Sequence, residues 1–284
     1  NKYTQQYGKK QGKYYVPQRA SAGLDPWVTP QAYDNAKEFF DTGITWSNSL
    51  NVAQMLEKSS YSISLGNTHQ DGIISSTGMD RYNVKVSADT KLTNNWSSGF
   101  TANYITTSID KAVTSGNGLF RTVYAAPPSY DLAGIPSHVD GNQYTQNSFR
   151  GSFDNAYWAM DNNKFTEDTN RFFGNVYASY QTDFGTTNHK LNAKYMVGVD
   201  AYTTHYVDSY GYGSNTGGGR GQIENYGWTN ATYNSLLTIN YDWHINEDWG
   251  LNAVLGNEII QSNRKKYYEY GTNYNFPGWN HINN

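Results

Sequence analysis

Cysteine is missing from all 284 residues, which excludes a disulfide scaffold, a cysteine nucleophile and thiolate metal sites. Long apolar runs are missing too. The longest spans Ala156 to Met160, far short of the about 20 residues a transmembrane helix needs. Membrane β-strands survive that exclusion, because each is a short alternating segment of about ten residues. Neither sign of charge is in excess: 21 basic and 24 acidic residues leave a formal net charge of −3, and nothing marks a nucleic-acid binder. Apolar residues are few, at 37%, yet Tyr, Trp and Phe number 26, 8 and 11. Much of the apolar surface therefore sits on amphipathic rings, which suit boundaries between apolar and wet regions. The length allows one large all-β unit or about two average domains. The opening residues Asn1 to Lys10 carry no signal peptide and read as the middle of a longer chain, so a mature or internal fragment is expected.

What is abundant is alternation. In Arg81 to Leu92, residues Tyr82, Val84, Val86 and Ala88 share one parity, and Arg81, Asn83, Lys85, Ser87 and Asp89 the other. Successive strand side chains point to opposite faces, so this segment predicts a strand between two different media. Seven further segments follow the same rule: about 43–54, 59–68, 96–106, 171–184, 190–202, 233–245 and one starting at Trp249. Slipping the Arg81 strand by one residue would turn Lys85 toward lipid, where Lys or Arg near the midplane costs about 2 to 4 kcal/mol. The charges thus select the wet face.

Connections alternate as well. Residues 56–58, 93–95, 185–188 and 246–248 are short polar turns, while 69–79, 109–169 and 208–229 are long. Short turns on one side and long loops on the other mark outer-membrane barrels. Trp96, Phe184, Trp243 and Trp249 all lie beside short turns and predict an aromatic girdle at the inner membrane interface.

The segment Asp34-Asn-Ala-Lys-Glu-Phe-Phe-Asp-Thr-Gly43 followed by Asn48-Ser-Leu-Asn-Val52 resembles the early barrel of SusC/RagA-like TonB-dependent outer-membrane transporters. Further stretches look similar: Glu57 to Gly66 running into His69 to Ile73, Asp80 to Asn83, Phe153 to Trp158, Asn162 to Phe165, and Asn170-Arg171. Together they cover about residues 34 to 184. Beyond Gly185 only the strand pattern supports the likeness. The resemblance implies an all-β fold, an antiparallel transmembrane β-barrel segment supplying about eight strands of a barrel of about 22. It implies a bacterial outer-membrane location, import of glycan fragments or peptides, a SusD-like surface lipoprotein and TonB acting through a plug. Neither a plug, a TonB box nor the family's amino-terminal domain is recognisable in these residues. The expected organisation is residues 1–42 mostly as extracellular loop, 43–106 as strands, 109–169 as a long extracellular loop and 170–284 as strands and loops.

Candidate sites are weighed against plainer readings. Tyr124, Tyr130, Tyr144, Tyr157 and Trp158 are candidates for substrate contact, since rings stack on sugars or side chains while polar tips hydrogen-bond; packing of the loop against the barrel mouth is the plainer alternative. Pro127 and Pro128 should stiffen this loop. Asp154, Asp161, Asn162, Asn163, Glu167 and Asp168 could offer oxygen ligands to calcium in the 154–168 stretch, although the spacing is not that of an EF-hand, and no cofactor is expected. His244, Glu247 and Asp248 flank a tight turn and read as turn chemistry rather than a metal site. The glycine-rich run Tyr210 to Gly221 lacks a phosphate-loop ending and reads as a mobile loop. No acid pair or Ser-His-Asp arrangement is placed on a recognisable scaffold, so an enzyme is not expected. Two rivals to a transporter wall remain: a self-contained eight-stranded pore or adhesin, and a secreted carbohydrate-binding β-sandwich.

Overall fold

A computed structural model describes residues 10, 12–113, 118–216 and 218–284. Two small elements open it, β1 (Tyr14–Tyr15) and β2 (Trp27–Val28), paired antiparallel around helix α1 (Pro17–Ser21), with α2 (Asn35–Phe39) following. Next come β3 (Thr45–Met55), β4 (Ser59–Asp71), β5 (Gly78–Lys91) and β6 (Trp96–Lys111). A long connection holds α3 (Leu119–Ala125), the hairpin of β7 (His138–Val139) and β8 (Asn142–Gln146), and α4 (Ala156–Asn162). The chain then returns through β9 (Lys164–Thr182), β10 (His189–Tyr210), β11 (Gln222–His244) and β12 (Gly250–Thr272).

The eight long strands form one antiparallel sheet in the order β3-β4-β5-β6-β9-β10-β11-β12. It is not closed: among the described residues β3 and β12 each have one unpaired edge. All eight expected strands are present, and β4, β5, β6, β9, β10 and β11 run further toward the long connections than alternation alone predicts, whereas β3 starts at Thr45 rather than near Gly43. The connections there shrink to 72–77, 112–163 and 211–221. The reason is visible in the distal half of β10, Tyr202 to Tyr210, which apart from Val207 is polar or aromatic at both parities yet pairs with β11 throughout. Alternation reports two unlike media; where both faces are wet, backbone pairing continues without it.

The turn-to-turn register sets side chains into rows. One row runs Leu50, Leu65, Val84, Tyr104, Phe172, Ala201, and the next Val52, Ile63, Val86, Ala102, Gly174, Val199. These form the outer face, and Leu50, Val52, Ile63, Leu65 and Phe172 stay exposed with no second layer over them. The opposite parity carries Ser62, Lys85, Ser87, Asn103 and Asn175 on the inner face.

A glycine shapes that inner face. The Tyr177 ring crosses Gly99 so that its hydroxyl donates to Asp89 at 2.6 Å, two strands away. A Cβ on Gly99 would meet Asp89 Oδ1 at 2.3 Å and Tyr177 Cε1 at 2.8 Å. Gly99→Val is therefore expected to expel the ring and lower stability by about 1 to 3 kcal/mol, read as a lower urea midpoint for the folded protein in detergent.

The main buried cluster is not in the sheet but beyond its distal end. Val16, Phe39, Ile74, Leu119, Val123, Leu132, Ile135 and Trp158 pack into one cluster drawn from four separate segments. Backbone ties reinforce it: Tyr33 N donates to Pro128 O at 2.7 Å and Asn147 Nδ2 to Gln18 O at 2.8 Å. Asn35 bridges the same segments, its Oδ1 accepting from Leu132 N at 3.1 Å. Residues 12–42, 112–113 and 118–163 thus form a single cap. Within the stretch read as a mobile loop, residues 211–216 and 218–221 lie against this cap: Ser214 is fully buried and its hydroxyl donates to Asp154 at 2.5 Å, while Gly213 N donates to Gly219 O at 2.9 Å. Gly213 adopts φ +100, open to glycine alone at little strain.

Candidate functional site

The inner face is polar and internally paired. Arg171 grips Asp200 across β9 and β10 with two bonds, Nε to Oδ1 at 2.8 Å and Nη2 to Oδ2 at 2.5 Å. Its guanidinium also lies 5.0 Å over Phe173. Lys194 sits 4.1 Å over Tyr177. Toward the distal end the rings close up. Tyr206 and Tyr226, cross-strand partners, stack with centroids 4.8 Å apart and planes at 6°, and Trp228 lies 5.4 Å from Tyr206. Lys111 Nζ is 4.5 Å over the Tyr206 ring and 3.4 Å from Glu167 Oε2. Arg264 lies 4.9 Å over Trp228. Sequence reasoning missed this strip by ending one strand at Tyr202 and placing 208–229 in a loop; its signal was the even-numbered series Tyr202, Tyr206 and Tyr226, Trp228.

The five ring candidates from the sequence do not converge on one open surface. Trp158 is 1% exposed, its Nε1 donating to Gln143 O at 2.7 Å, and Tyr130 is 6% exposed. Both are cap core, the packing alternative. Burial, with Asp131 adding to it, raises the Tyr130 hydroxyl pKa above its ordinary value. Tyr157 is half-buried edge-on to Phe39 at 5.1 Å, and its pKa is raised by burial and then by Glu38. Tyr144 is half-buried on β8. Tyr124 alone of the five is widely exposed, at 70%, tilted against Phe40.

The oxygen-rich stretch is dispersed by its surroundings. Asp154 accepts from Gln146 Nε2, Ser214 Oγ and Asn215 N at 2.7, 2.5 and 2.7 Å. Asn163 accepts from Gly211 N, Glu167 turns inward to Lys111, and Asp168 turns outward to Ser108. Among the described residues no three His, Cys, Asp or Glu side chains are grouped so that they could hold a metal ion. At the opposite end Asn246 Oδ1 accepts from the Asp248 and Trp249 amides at 3.0 and 2.9 Å, which is turn chemistry. Trp96 packs on Tyr180 at 5.0 Å and Trp243 on His189 at 5.7 Å, with Phe184 and Trp249 exposed beside them, so the expected ring of aromatics lies at the short-turn end.

An open antiparallel wall with an apolar outer face, a polar inner face and a packed cap at one end is the architecture of part of a β-barrel. No family model and no curated protein matches the sequence. Among solved structures the chain is similar to the RagAB peptide importer in its closed-closed state, with a TM-score of 0.66 at 16% identity over 87% of this chain. Its open-open state gives 0.64 at 16% over 87%, and a structure of the RagAB peptide transporter 0.65 at 15% over 86%. The chain spans 28, 28 and 27% of those chains, little more than a quarter of their length. Identity this low shows the fold.

Proposed function

We propose that this chain is part of the wall and distal cap of an outer-membrane importer of the SusC/RagA kind, taking up peptides or glycan fragments, working with a SusD-like surface lipoprotein and energised by TonB through a plug. The observation that carries the reading is the exposed apolar outer face on a sheet with two open edges. An unpaired edge has no partner for its amides in lipid, so further strands must complete the wall. The likeness in fold to RagAB supports the same reading. The role is transport rather than catalysis: alternating strands seal against lipid, and the cap, on the extracellular side, shapes the vestibule. The open edges speak against a self-contained eight-stranded barrel, and the uncovered apolar face against a soluble β-sandwich.

The test is the intact mass and location of the native protein. A species about three times the 32.0 kDa of this chain, in the outer-membrane fraction, is expected from the share of the RagAB chain it spans. A soluble native species of 32.0 kDa would sink the proposal.

A further inference from the structure

We propose that the distal inner face of β10 and β11 holds a cationic group of the ligand, an ammonium or guanidinium; this rests on the transporter reading and names a chemistry for its wall. Tyr206, Tyr226 and Trp228 form an aromatic surface there, and Tyr226 donates its hydroxyl to Asp208 at 3.0 Å. Ring faces attract cations. The fold already demonstrates it, seating the Lys111 ammonium on Tyr206 and Glu167. One row further out, Asp208 and Glu224 are direct cross-strand partners on the same face. Like charges so opposed destabilise a strand pair, and among the described residues neither carboxylate has an ion pair. Rings plus two carboxylates without an ion pair, Asp208 taking a hydroxyl from Tyr226 and Glu224 one from Tyr268, match a ligand that brings positive charge and planar or tetrahedral N–H donors.

The experiment is calorimetric titration of the full-length detergent-solubilised protein at pH 6. One arm compares acetyl-Gly-Arg-Gly-Arg-Gly-amide with its Gln counterpart, the other triglucosamine with cellotriose, which separates a peptide from an amino-sugar source. At least one charged probe is expected to bind about tenfold tighter than its neutral counterpart, a preference that shrinks as NaCl is raised and disappears in the isosteric double variant Asp208→Asn/Glu224→Gln. Equal binding within both pairs, no binding of either charged probe, a salt-independent preference, or a preference kept by the double variant would each overturn the inference. Intact mass and fractionation judge the transporter reading separately, so a large outer-membrane protein without charge preference defeats this inference alone.

Discussion

Val86→Arg is expected to destabilise the folded protein by about 2 to 4 kcal/mol in lipid vesicles, whereas Ser87→Arg, one residue along, should change it by about 1 kcal/mol or less. Val86 lies midway along β5, flanked in its row by Ile63 and Ala102 on the outer face. A guanidinium there would stand in hydrocarbon, too far from either interface to reach water without distorting its surroundings. Ser87 faces the other way, its Oγ 2.8 Å from Ser62 Oγ on the wet face, with Asp89 two residues further along the same face. An arginine there loses one hydroxyl contact and gains a neighbour of opposite charge. Urea titration of the folded fraction in vesicles checks both. Similar losses at the two positions would show that the two faces do not meet different media.

That contrast also explains which parts were legible in the sequence. In β5 a one-residue slip turns Lys85 outward, so charge alone specified the parity. In β12 the same reasoning stops at Leu255. Beyond it Asn257 and Gln261 fall on the outer face and Ile260 on the inner, as Val254 just before it does, the reverse of the rule. Their placement comes from pairing, Leu237 with Asn257 and Tyr233 with Gln261, and so from β11 rather than from β12's own pattern. The strand ends were hidden for a related reason: around Tyr206 and Tyr226 both parities carry polar or aromatic side chains, and alternation no longer separates them from loop. The cap was hidden more deeply. Its helices are five to seven residues long, below the length at which a helical period emerges or an isolated helix is stable. Two of them are capped by side chains, α2 by Asp34, whose Oδ1 accepts from Lys37 N at 3.1 Å, and α4 by Asn155, whose Oδ1 accepts from Tyr157 N at 3.0 Å, while α1 and α3 have no side-chain cap; all four are held because segments about a hundred residues apart bury each other's apolar side chains. Of the ring candidates, composition could name the residue types but not say which ring would be covered.

Trp158→Ala is expected to cost about 3 to 5 kcal/mol within the cap while leaving the sheet paired. The indole is the largest fully buried side chain, it fills the cluster with Leu132 and Val123, and its Nε1 is satisfied by Gln143 O. It also underlies the 211–221 loop, since a Cβ on Gly213 would come within 3.1 Å of its ring. Truncation would therefore open a cavity, orphan a carbonyl and release the loop that places Ser214 on Asp154. Hydrogen exchange should show protection lost at 33–42, 119–135 and 211–221, with the amides of β4 to β6 unchanged, because no sheet row depends on the indole. Tyr124→Ala, at an exposed position, should leave exchange unaltered in all of them. If Trp158 instead contacted substrate directly, its removal would weaken ligand binding with cap protection intact, and that pattern would contradict a role in packing.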